Sequence, residues 1–113
     1  MKAYRHGDVV LVEMNHDPRW KSDYKTSTET VLATGEMTGH SHRISPIVEG
    51  EELHVSRGTS RAFGRDAWFL TIPKGGAKVT HEEHNRIDLP KGDYIAFQQR
   101  EQWRESSVRR VLD

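Results

Sequence analysis

The chain has 113 residues, with Lys+Arg 17 against Asp+Glu 17, seven histidines and no cysteine. That length suits one domain whose single core can fold without staples. The missing cysteine excludes disulfides, thiolate nucleophiles, Cys-type zinc fingers and iron–sulfur ligation, so any metal chemistry must rest on imidazole and carboxylate. The charge balance shows no one-sign tail of the kind that binds polyanions.

The opening residues, Met1 to Asp8, lack the apolar run of a signal peptide, and the apolar runs at 9–12 and 67–70 are far too short to span a bilayer. A cytoplasmic protein with no membrane partner is expected. Residues 9–12, Val-Val-Leu-Val after Gly7-Asp8, read as a strand buried on both faces. Residues 15–28 hold Pro18, several Ser and Thr and alternating charge, which predicts an exposed loop leading into a strand at 30–33. Further strands are predicted at 53–55, 67–72, 79–89, 94–97 and 108–112, separated by Gly, Pro and Asp clusters. Residues 98–106 lack β-branched side chains and carry good helix formers, so a helical turn is expected there. With no amphipathic helix of crossover length, residues 1–113 predict one all-β domain of about six to eight short strands, arranged as a small barrel or sandwich.

Four of the seven histidines fall in two groups, Gly39-His40-Ser41-His42 and His81-Glu82-Glu83-His84. On a strand, residues two apart share a face at about 6.6 Å along the backbone, so His40 and His42 can converge on one ion. Gly39 beside them permits a bend. In the second group, counting back by twos from Leu89 and Ile87 puts His81 and Glu83 inward and His84 outward. A bulge or turn within 81–84 would instead bring His81 and His84 together.

Two ligand sets therefore stand open: His40, His42, His81 and His84, or His40, His42 and His81 with Glu83. Either suits a divalent ion such as Zn, Fe, Mn or Ni. The second group is not a zincin motif, which needs helical spacing, because its flanks read as strand. A lone histidine is more often structural than a ligand, so His6, His16 and His54 are expected to be structural or solvated.

The order of these parts resembles the cupins, small double-stranded β-helix proteins. Their first motif finds counterparts in Gly35, His40, His42, Glu49 and Gly50, and their second in Pro73, Gly75, His81 or His84, and Asn85. That resemblance implies a metal held by His and Glu inside a barrel. Over nearly the whole chain the sequence is also similar to an uncharacterised family of short bacterial and phage-type proteins. The likeness rests on 5–9, 39–42, 81–84, 89–94 and 99–101, and implies that the His groups act as a unit.

Two functions follow as expectations. In the first, the domain binds one divalent metal. It would then be a metal-dependent hydrolase or oxygenase-type enzyme if Glu82 or Glu83, within a residue or two of a ligand, acts as general base on a small-molecule substrate. In the second, it is a non-catalytic module, Trp20, Tyr24, Trp68 and Trp103 meeting nucleic acid or a protein partner beside arginines. Either is compatible with a homodimer.

Overall fold

The computed structural model of the chain describes residues 2–14, 24–35, 39–61 and 63–99. Among them are ten strands: β1 (Ala3–His6), β2 (Val9–Met14), β3 (Lys25–Ser27), β4 (Thr30–Thr34), β5 (Ser41–Pro46), β6 (Leu53–Ser60), β7 (Arg65–Ile72), β8 (Ala77–Thr80), β9 (Ile87–Leu89) and β10 (Gly92–Gln98). They form a six-stranded sheet, β1-β2-β10-β7-β6-β3, and a four-stranded sheet, β4-β5-β8-β9. Every pairing is antiparallel. The expected all-β class holds, and the arrangement is a sandwich and not a closed barrel.

Alternation along each strand builds the core. Val9 and Leu11 of β2, Leu53 of β6, Leu70 and Ile72 of β7 and Tyr94 and Ala96 of β10 turn to the same interior as Leu32, Ile44, Val79 and Leu89 of the smaller sheet. The other face of the large sheet is apolar too. Val12, Ala67, Phe69, Ile95 and Phe97 form a second buried cluster, with Val10, Met14 and Tyr24 packed against it. This explains the unbroken apolar run at 9–12: β2 is covered on both faces.

The two sheets are tied by Trp68. The β4–β5 ladder shifts register between Val31 and Ala33, which frees the Leu32 carbonyl from regular pairing. Trp68 Nε1 of β7 donates to that oxygen at 3.2 Å.

Three expectations change. More strands form than the six to eight predicted. The predicted strand at 79–89 is two strands, β8 and β9, separated by residues 81–86. The predicted loop at 15–28 ends in an edge strand, β3, which pairs Lys25, Thr26 and Ser27 with Val55, His54 and Leu53. Its part at 15–23 lies outside the described residues, as do the predicted strand at 108–112 and all of the predicted helical turn beyond Gln99. Among the described residues no helix is long and apolar enough to cross a membrane.

Candidate metal centre

The site lies where strand ends from both sheets meet. On β5, His42 shares parity with the fully buried Ile44, so it points into the end of the core, whereas Arg43 between them is exposed. Gly39, at φ +75°, turns the chain just before His40, as its freedom from a side chain allows.

Across from His42, β8 stops at Thr80, and the polar segment 81–86 leaves the ladder. That break brings the rings of His81 and His84 together, with centroids 4.6 Å apart. The regular-strand alternative, with Glu83 inward and His84 outward, does not apply to this loop.

One ligand atom each from His42, His81 and His84 lies within 4.8 Å of the others. The His42 and His81 ring centroids are 4.4 Å apart, and the His42 and His84 rings stack with centroids 5.7 Å apart and planes 17° from parallel. His42 is buried and His84 exposed, so the group opens to solvent on one side.

His40 falls elsewhere. It joins His81 and Glu82 in a second group that meets the same 4.8 Å limit, so His81 stands between the two groups. Glu82 Oε1 accepts the Ser41 backbone N–H at 3.0 Å. Backbone N–H groups hold its carboxyl below the ordinary range. Glu83, exposed, points its Oε2 at His40 Nδ1 across 3.4 Å, and its own N–H donates to His81 Nδ1 at 2.9 Å. An open groove of about 290 Å³, lined by Ser41, Arg43, Thr80, His81 and Glu82, runs past this second group. Glu49, a counterpart in the cupin comparison, belongs to neither group among the described residues.

Sequence reasoning missed His6 and Asp8. His6 ends β1 and is 3% exposed, and its ring meets His42 edge-on at a centroid distance of 5.0 Å and lies 5.6 Å from that of His84. Its Nε2 lies 2.8 Å from the Asn85 carbonyl and its Nδ1 2.9 Å from His42 Nδ1. Asp8, in the β1–β2 turn, points Oδ1 at His42 Nε2 across 3.3 Å. Gln98 Nε2 donates to the other oxygen at 2.7 Å, and Gln99 N–H donates to the Asp8 backbone carbonyl at 2.7 Å. The signal available in sequence was a histidine and an aspartate flanking a turn glycine, too common a pattern to single out.

Gly7 completes the cradle. Its φ is +63°, and a Cβ there would stand 2.8 Å from His42 Cε1 and 3.0 Å from His84 Nε2. Only a residue without a side chain lets the turn approach both rings.

Burial governs the electrostatics. It pushes the His42 pKa down to about 4, helped by His81 and opposed by the Asp8 carboxylate. Burial also lowers the His6 pKa, against the pull of the Asn85 carbonyl. A buried, neutral imidazole is the form that binds a metal.

Two of the aromatic side chains expected to meet a partner, Trp68 and Tyr24, lie among the described residues. Trp68 is half-buried, bonded to Leu32 and stacked under the Arg57 guanidinium at 5.0 Å, and Tyr24 packs on the outer cluster. Trp20 and Trp103 lie outside the described residues.

No curated protein and no solved structure matches this chain. A family model described as a domain of unknown function (DUF8820) matches residues 5–99, from within β1 to just past β10, and so spans every group of the site. The chain belongs to that family of unknown function.

Proposed function

We propose that this domain binds one divalent ion of the Zn, Fe, Mn or Ni type through His42, His81 and His84. The observation that carries the reading is the convergence of three imidazole ligand atoms within 4.8 Å, drawn from two separate segments of the chain. Three nitrogen donors with one side open to solvent suit a borderline ion that keeps further coordination positions. His40 belongs to the rim of the site, beside Glu82 and the groove.

Catalysis would run through that groove. Arg43 and Ser41 at its wall favour a small polar or anionic substrate, and Glu82 or Glu83 would move its proton. Stabilising the ionised form of Glu82 weakens it as a base.

Elemental analysis of protein purified without an affinity tag tests it. About one equivalent of transition metal in the native chain is expected, and its loss from the His42→Ala/His84→Ala double variant. Metal near zero in the native chain, after incubation with each of the four ions, would overturn the proposal.

A further inference from the structure

Three contacts in series run from Asn85 through His6 and His42 to Asp8, and each places two electron-rich atoms face to face. The Asn85 carbonyl can only accept, so His6 Nε2 must carry a proton. His6 Nδ1 is then bare, and His42 Nδ1 must carry the second proton to bond it at 2.9 Å. His42 Nε2 is left with a lone pair aimed at Asp8 Oδ1, 3.3 Å away. Two neutral imidazoles supply two protons for three contacts, so this last contact lacks a positive centre.

A third proton would draw the pair into a charge-assisted hydrogen bond of about 2.7 to 2.9 Å, shorter than the 3.3 Å found between His42 Nε2 and Asp8 Oδ1. A metal ion fits the longer separation. Two ligand atoms that share an ion at about 2.1 Å each are separated by roughly 3.0 to 3.4 Å in octahedral or tetrahedral geometry, which brackets the separation of His42 Nε2 from Asp8 Oδ1. Gln98 occupies the other Asp8 oxygen, so the carboxylate has one oxygen left for the ion.

His81 points the same way. Its Nδ1 accepts from Glu83 N–H, which places the proton of the neutral ring on Nε2. His81 therefore joins an ion only by releasing one of these two hydrogens, whereas His42 Nε2 is ready as it stands.

We propose that Asp8 is a ligand of the same ion, beside His42 Nε2, and that His6 is the positioning residue that fixes His42 in the tautomer with Nε2 bare. The inference rests on the metal-binding reading above and extends its ligand set with an anion. A carboxylate beside imidazoles favours a divalent ion over a soft monovalent one such as Cu(I).

The test uses the full chain and zinc alone. Titration calorimetry is expected to show a loss of affinity of about 10- to 100-fold in Asp8→Asn and about 10-fold in His6→Phe, with one ion still bound per chain. The cobalt(II) form of Asp8→Asn should differ from the native form in its visible absorption, because a ligand has changed. A ring-nitrogen NMR spectrum of the zinc-loaded native protein should show His42 protonated at Nδ1 and ligated at Nε2, a measurement that needs no variant to fold. Native affinity and an unchanged cobalt spectrum in Asp8→Asn would overturn the role of Asp8. Ligation of His42 through Nδ1 would overturn that of His6. If the native chain bound no metal at all, both this inference and the metal-binding reading would fall, whereas binding that is indifferent to Asp8 and His6 would remove the inference alone.

Discussion

His6 Nδ1 and His42 Nδ1 stand 2.9 Å apart, the last residue of β1 in the larger sheet against the second residue of β5 in the smaller. One proton between two ring nitrogens orients both rings, so a contact across the sandwich controls which face of His42 is offered to a ligand. A neutral hydrogen bond of this kind contributes about 1 kcal/mol.

Binding of zinc to the native site should raise stability by mass action. At free zinc one hundred times the dissociation constant, the gain is about 2.7 kcal/mol, worth about 10 °C in melting temperature for a domain of this size. Thermal melts with zinc and then with excess chelator check it, and a melting temperature that ignores both would count against binding to the folded state.

Gly7→Ala should damage the site more than the fold. The new methyl would meet His42 and His84 within 3.0 Å, in a left-handed backbone region that disfavours a side chain. We expect a stability loss of about 1 to 2 kcal/mol together with at least a tenfold loss of zinc affinity. Denaturant unfolding and calorimetry on the same sample separate the two effects.

Acid should destabilise the metal-free domain through His42. The unfolded ring titrates near its ordinary value of 6.5 and the folded ring near 4. Above both values the two states bind equal protons and the full stability is present. As pH falls from 6.5 towards 4 the unfolded state takes up a proton that the folded state resists, and stability drops by up to roughly 3 kcal/mol. The lowered pKa of His6 acts in the same direction. Urea unfolding at intervals between pH 8 and 4, in chelator, should give a slope of this sign, and a His42→Gln variant should show a shallower one.

Trp68→Phe should weaken the tie between the sheets. It keeps most of the apolar ring but removes the N–H that Leu32 accepts at 3.2 Å. A carbonyl freed by a register shift and then deprived of its donor costs about 1 to 3 kcal/mol. Equilibrium urea denaturation followed by far-ultraviolet circular dichroism measures the change without relying on tryptophan fluorescence.

The all-β class was legible because short β-branched runs alternate with turn residues, and the run at 9–12 correctly announced a strand buried on both faces. The split of 79–89 into two strands was not legible in detail. Parity counted from Leu89 and Ile87 assumes an unbroken ladder, and nothing local in Glu82-Glu83-His84-Asn85 fixes where pairing stops. The pairing of Lys25, Thr26 and Ser27 with β6 escaped notice because an edge strand needs no apolar alternation. The clustered histidines stood out by their spacing, so His42, His81 and His84, whose ring nitrogens the fold brings within 4.8 Å of one another, were among the candidates. His6 and Asp8 were not, because their role comes from a partner 36 positions away in the case of His6 and from Gln98, 90 positions away, in the case of Asp8.

The place of β10 has a consequence for how the site comes into being. β10 fills the gap between β2 and β7, and its last residues anchor Asp8. During synthesis every histidine of the site leaves the ribosome before this strand does. Until residues 92–99 have emerged and paired, the β1–β2 hairpin has no neighbour to hold it in the larger sheet, and Asp8 has no Gln98 to orient it. Contacts of such long sequence separation form slowly. The nascent chain thus carries loose imidazoles without Asp8 beside them, and their assembled arrangement is a property of the finished sheet alone.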